Sequence, residues 1–366
     1  MTASLIAPLP IRMRPDLIVR AGHSGTRAVW VIKDPIRLQY FRFQSEEHEL
    51  LRMLDGTHSL RDLQRHLEQL LAPAKISIER IEFFLSGLHA DGLIVIDEPG
   101  QDRLLRERES RTKRSRLIRQ WSNPLAVRFP GVDPGWLLNG FTSLFGFLFH
   151  PAALLVSLIP ILSALVWVLA HWADVVQKPP SFEAFFLGRN LIVLLVTLAT
   201  VKIIHEFGHA TACRRYGAEC REIGLMLLVF MPTLYCNVSD AWMIPARWKR
   251  IVVSLAGVYV ELLLATIATF LWWNSNPGQF QMLCLNVMAV CSVSTLLINL
   301  NPLLRYDGYY ALSDLSCSPN LWSRSREWWK SRLTKLCLGT DLSSPEFVSD
   351  RRSFFLGSSV GSVGRV

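Results

Sequence analysis

Asn190-Leu-Ile-Val-Leu-Leu-Val-Thr-Leu-Ala-Thr-Val-Lys-Ile-Ile-His205-Glu206-Phe207-Gly208-His209-Ala-Thr-Ala212 decides how this chain is read. A membrane-spanning helix needs about 20 mostly apolar residues, and this stretch supplies them. Lys202, His205, Glu206 and His209 gather toward its far end. Ionisable groups are costly inside a bilayer, so by default they mark function. On a helix, residues four apart share a face, so both imidazoles can bind one metal ion. Glu206 between them can reach a metal-bound water and take its proton. Zinc suits such a set, because it accepts nitrogen and oxygen tetrahedrally and leaves one position for water. A further Gly at 212 and His at 215 would extend the pattern to the metzincin spacing; the chain has Ala212 and Arg215, which excludes that class.

The surroundings fit a membrane setting. From Gly135 to Ala173 there is no Asp, Glu, Lys or Arg, and between Arg250 and Arg305 the one charge is Glu261. Hydrophobic residues make up 50% of 366 and charged residues 19%, with a mean hydropathy of +0.26, which argues against disordered and wholly soluble classes. Four spans follow: Ala152–Trp172, Asn190–Ala212, Ile251–Trp273 and Gln281–Leu300, with Trp136–His150 as an entry helix. Ile223–Cys236 is apolar but too short to span, and Pro232 interrupts it, so it reads as a re-entrant or hairpin segment. The net charge of +9 comes from Lys and Arg flanking the spans, which favours an anionic membrane face over nucleic acid. Loop charges place the N-terminus and the tail inside, so the second and fourth spans run the same way. None of the seven cysteines forms a C-x-x-C pair, which makes a disulfide framework or thiol-zinc cluster an unsuitable reading.

Residues 1–100 read as a small soluble domain. Ala28–Ile32 and Ile36–Phe43 form two strands about a turn at Lys33-Asp34-Pro35. Helices start at Ser45, at Ser59 (with Asp62 completing a capping box) and near Ser77, the last ending at Gly92. Leu93–Ile96 closes the domain as a strand. Residues 101–135 are a linker, basic over 103–119, either solvated or touching lipid headgroups; 136–315 form the membrane core, and 316–366 a basic tail. The fold class is mainly α: a polytopic helical membrane protein with a small N-terminal α+β, winged-helix-like domain.

A metal centre needs a third protein ligand. The fourth span ends in Asn299-Leu-Asn301-Pro302-Leu-Leu-Arg-Tyr-Asp307-Gly308. Asp307 could meet the two histidines across a helix interface; Asn-Pro and Asp-Gly read equally as turn chemistry at a helix end.

His205-Glu-x-x-His209 on one span and Asn299-x-x-Pro302-x-x-x-x-Asp307-Gly308 on another, with one span between, resemble the site-2 protease family of intramembrane zinc metalloproteases. The likeness covers residues 190–315. It implies Zn2+ held by His205, His209 and Asp307, Glu206 as general base, and Asn299 holding the substrate backbone or the oxyanion. Many members carry Gly-Pro-x-x-Asn on the middle span; Gly257-Val-Tyr-Val-Glu261 stands there instead, so the role of that Asn does not carry over, and Glu261 is an intramembrane acid that could pair with Lys202 or Arg305 or line the site. Depth separates Glu261 from the ligand set: ten residues past Ile251, it lies about 15 Å into a core of about 30 Å, deeper than the histidine pair.

Trp30–Ile96 is similar to the small peptide-binding winged-helix domain of peptide-modifying enzymes and the pyrroloquinoline quinone pathway. That likeness implies leader-peptide capture by strand addition, here along an exposed edge near Ala28–Ile32. The combination resembles a bacterial subgroup of peptide zinc metalloproteases associated with export systems, in which more membrane helices follow; this chain instead ends Gly- and Ser-rich after Phe354, as a truncated or altered terminus would.

The leading expectation is thus a zinc endopeptidase in the bacterial inner membrane, acting on a peptide or membrane protein in contact with lipid, with export-system partners and no nucleic acid. The alternatives are a regulator or peptide-binding protein with a structural metal, against which Glu206 argues, and a transport component, for which no internal repeat speaks.

Overall fold

The computed structural model describes residues 7–24, 27–37, 39–96, 126–177, 188–228, 231–316, 321–338 and 364–365. The basic run at 103–119, most of the loop at 178–189 and the tail from 339 to 363 therefore lie largely or wholly outside the described residues. Contacts divide the chain into two units, 1–116 with 316–366, and 117–315.

The first unit holds β1 (Ile11–Met13), β2 (Ile18–Ser24), β3 (Arg27–Asp34), β4 (Gln39–Gln44), α1 (Ser45–Arg52), α2 (Leu60–Leu70), α3 (Ile78–Asp91) and β5 (Ile94–Ile96). Ser59 caps α2 by accepting from the Asp62 amide at 3.3 Å, while the Asp62 carboxylate accepts from the Ser59 amide at 3.1 Å. Gly92 ends α3 at φ +74°, a left-handed turn that glycine adopts without steric cost. Leucines at helical spacing on α2 and α3 meet alternate residues of β3 and β4, so Ile32, Phe41, Phe43, Leu63 and Leu88 form a closed core. β3 pairs antiparallel with both β2 and β4. This overturns the exposed edge near Ala28–Ile32: that strand is interior, and β2 takes the outer place. β2 escapes periodicity because Arg20, Gly22 and His23 break its apolar alternation. β1 pairs with β5, some 80 residues on, which no local pattern signals.

The second unit begins with β6 (Ala126–Arg128) and α4 (Gly135–Phe145), followed by a 3-10 turn, Gly146–Phe149. Next come α5 (Pro151–Ala170), α6 (Trp172–Gln177) and α7 (Gly188–Arg215). β7 (Ile223–Leu228) and β8 (Met231–Cys236) form an antiparallel hairpin, with β6 on the other side of β7. Pro232 sits in β8, an edge strand, where a missing N–H is tolerated. Cys220 and Cys236 bring their sulfurs to 3.1 Å at the base of this hairpin. Then follow α8 (Arg247–Asn274), α9 (Gln279–Val293), a π-helical turn at Ser294–Asn299, and α10 (Asp307–Leu315). α11 (Leu321–Leu338) and β9 (Gly364–Arg365), the latter beside β4, belong to the first unit.

Among the described residues, four helices are long and apolar enough to cross a membrane: Pro151–Ala170, Asn190–Arg215, Arg247–Asn274 and Gln279–Asn299. The architecture is mostly helical with a small strand-containing N-terminal region, and the protein is a membrane protein. α7, α8 and α9 pack on one another around Val201, Leu264 and Cys291. Small residues bring α7 and α8 close, as in membrane helix pairs. A Cβ on Gly208 would stand 3.0 Å from Val260 Cγ2 and 3.1 Å from the Ala256 carbonyl oxygen.

Candidate metal centre

The four-residue spacing on α7 puts His205 and His209 on the face that meets α8, and both are buried. Their Nε2 atoms are 3.1 Å apart. Asp307 opens α10 after the turn at Asn301–Tyr306, and its Oδ2 lies 3.2 Å from His205 Nε2 and 3.3 Å from His209 Nε2. Gly308 permits that approach, since a Cβ there would stand 2.5 Å from the Leu300 carbonyl oxygen. The Arg250 guanidinium anchors the far end of α10 by donating to Asp314 at 2.8 Å.

The three donors form a triangle with sides of 3.1, 3.2 and 3.3 Å. Tetrahedral bonds of about 2.0–2.1 Å to zinc require ligand–ligand edges of about 3.3–3.4 Å, so the triangle already has the size of a zinc face. Asp307 Oδ2 is buried with no well-aligned hydrogen bond among the described residues, and the two ring nitrogens are its near neighbours. Burial alone would raise the Asp307 carboxyl, but the neighbouring His209 and His205 outweigh it and hold the group well below the usual carboxylate range. An ionised carboxylate beside two imidazoles is the donor chemistry zinc takes. Among the described residues, His205, His209 and Asp307 form the one cluster with metal-ligand geometry.

The other ring nitrogens have different partners. His209 Nδ1 donates to the Val253 carbonyl at 2.8 Å, which leaves its Nε2 lone pair free for the triangle. His205 Nδ1 stands 2.9 Å from Glu261 Oε1, a close contact although off the line of an ideal hydrogen bond. Glu206 lies outside the donor set but within electrostatic reach of His209, His205 and Asp307, with the Cys236 backbone against its carboxylate.

Asn299, expected at the substrate, turns its amide to Glu261 Oε2 at 3.3 Å and to Ser294 Oγ at 3.3 Å. Glu261 is fully buried and also receives Lys202 Nζ at 2.8 Å and Thr295 Oγ1 at 2.6 Å. The expectation that Glu261 lies out of reach of the histidines therefore fails. α7 runs on to Arg215, so His205 sits about 5 Å past the helix midpoint, level with Glu261 near the middle of α8. The grouping of Ser294, Thr295 and Asn299 has no sequence signal, because a π turn leaves no mark in hydrophobic periodicity.

Residues 193–281 match peptidase family M50. The match takes in His205, Glu206, His209 and Glu261 and stops before Asn299 and Asp307. The Bacillus subtilis (strain 168) protein named "Putative peptide zinc metalloprotease protein YydH" is 26% identical over 152 residues, 41% of this chain and 58% of that protein. The matched stretch thus spans less than two thirds of that relative's length. No solved structure matches the chain. These findings support the resemblance to site-2 protease-like metalloproteases and point to zinc; the family match does not reach the N-terminal unit.

Proposed function

We propose that the protein is a membrane-embedded zinc endopeptidase that hydrolyses a peptide bond in or next to the bilayer, in peptide processing, export or regulated proteolysis. The observation that carries this reading is the zinc-sized triangle of His205, His209 and Asp307 with a carboxylate, Glu206, beside it but outside it. A purely structural zinc site uses closed coordination and has no need of an adjacent base. His205 and His209 would hold the ion through Nε2 and Asp307 through a carboxylate oxygen. Bound zinc supplies a Lewis acid and lowers the pKa of its water toward about 7. Glu206 takes a proton from the attacking water and returns it to the leaving amine nitrogen as the C–N bond breaks. The Asn299 amide is engaged with Glu261, so contact with substrate would require it to turn away.

The substrate is a peptide or a membrane protein. In the N-terminal unit β2 pairs with β3 alone among the described strands, which makes Ile18–Ser24 the edge to which an extended leader peptide could add. Delivery by an export system, and no contact with nucleic acid, complete the proposal.

Metal analysis tests the centre. One zinc per chain is expected in the wild type. The His205→Ala/His209→Ala double variant and Asp307→Asn should each lose most of it at equal folded yield. Full zinc retention in Asp307→Asn would reject Asp307 as a ligand.

We place the protein in a bacterial inner membrane with its N-terminus cytoplasmic, from the Lys and Arg around the spans. A cysteine introduced between Asn274 and Gln279 should react with an impermeant maleimide added from outside, and one at Arg247 should not. The reverse labelling pattern overturns this orientation.

A further inference from the structure

Glu261 is contacted by several polar side chains in the described membrane core, yet it lies outside the donor triangle. It is 0% exposed. Its Oε1 meets Lys202 Nζ at 2.8 Å, His205 Nδ1 at 2.9 Å and Ser294 Oγ at 3.3 Å. Its Oε2 accepts from Thr295 Oγ1 at 2.6 Å and Asn299 Nδ2 at 3.3 Å. Lys202 donates to Ser294 as well, which closes the ring. Three helices contribute, and the π turn supplies three of the partners: its wider winding sets Ser294 and Asn299 close enough for the amide to reach the hydroxyl.

A buried carboxylate is tolerated only when its lone pairs are satisfied and its charge is matched. Here the arrangement leaves the carboxylate little freedom to move. The same Oε1 stands 2.9 Å from His205 Nδ1, off the line of an ideal hydrogen bond. A carboxylate at this nitrogen holds the proton on Nδ1, so the lone pair sits on Nε2, the atom that faces His209 and Asp307. Carboxylate partners of metal-bound imidazoles fix ring orientation and raise ligand basicity, and their loss typically weakens metal binding by about 10–100-fold. His209 has the Val253 carbonyl in the same role. The two ligands thus differ: one is held by a neutral acceptor, the other by a charged one that is itself clamped.

We propose that Glu261 is a positioning residue of the metal centre: held by Lys202, Ser294, Thr295 and Asn299, it orients His205 and sets its tautomer. This inference rests on the metalloprotease reading of the site and adds to it the residues that pre-organise one ligand. It also gives the Gly257–Glu261 stretch of α8 a role of its own.

The test uses purified full-length protein in detergent. Zinc affinity is measured by competition with a chromophoric chelator, and the cobalt(II)-substituted protein is followed through its d–d absorption. Glu261→Gln should weaken zinc binding by about 10–100-fold and change the cobalt band, since the amide cannot hold the ring as the carboxylate does. Glu261→Gln strands the Lys202 charge, so Lys202→Met/Glu261→Gln is measured beside it and should show the same loss. Glu261→Asp keeps the charge and should fall between these variants and the wild type. Wild-type affinity and an unchanged cobalt spectrum in both Gln variants would overturn the positioning role alone. A wild-type protein that binds no zinc would remove the metal centre, and this inference with it.

Discussion

Glu206→Gln is expected to keep its zinc and its fold and to lose cleavage by about 10²–10⁴-fold, the range that one general base contributes. The substitution is close to isosteric and removes only the ability to accept a proton. Glu206 is not part of the donor triangle, so both imidazoles and Asp307 stay in place. The measurement is single-turnover cleavage of a fluorogenic peptide by zinc-loaded wild type and variant in lipid vesicles, with zinc content determined on the same samples. Undiminished turnover in the variant would exclude Glu206 as the base. Loss of zinc along with activity would instead make it part of the metal's support.

Gly257→Ala should be nearly as damaging, although glycine 257 carries no chemistry. A Cβ at that position would stand 2.4 Å from His205 Cε1 and Nε2 and 2.6 Å from Nδ1. The ring has nowhere to retreat, because Asp307 and His209 stand on its Nε2 side and Glu261 on its Nδ1 side. Nor can α8 simply draw back, since Ala256 and Val260 already rest against Gly208. A displacement of about 1 Å at a reacting centre can cost about 100-fold in rate. Zinc content well below one per chain and a fall in activity of about that size are expected, with the helices still formed by circular dichroism. Gly140→Ala is the control: it lies in α4, its Cβ would meet nothing within 4 Å, and it should leave both measurements unchanged. Normal zinc content in Gly257→Ala would show that the interface yields more readily than its spacing implies.

Much of this arrangement is legible in the residues, for identifiable reasons. Long apolar runs have few structural options, so the four candidate spans emerge from composition and their ends shift by only a few residues. Caps are local, so Ser59 and Gly92 bound their helices where the spacing places them. The His205/His209 face follows from helix periodicity alone. What escapes is whatever depends on distant pairing or on irregular winding. β1 meets β5 across most of the N-terminal unit, and the π turn falls where the chain after α9 meets the buried Glu261 carboxylate. The level of Glu261 departs from the depth expectation because the extent of α7 past Ala212, through Cys213, Arg214 and Arg215, does not follow from hydropathy.

The ion pair between Lys202 and Glu261 joins two helices whose members are 59 residues apart. Its consequence lies in how the protein is made. A lysine or acidic residue at the centre of a helix entering lipid opposes insertion by about 2.5–3.5 kcal/mol. α7 carries Lys202, His205, Glu206 and His209 and emerges from the ribosome first, before anything can neutralise them. α8 brings the compensating carboxylate only after the β7–β8 hairpin has been synthesised. Entry of α7 and α8 together would spare either charge from meeting lipid unpaired. The residues that would hold zinc would then enter the membrane already facing the partner that orders them.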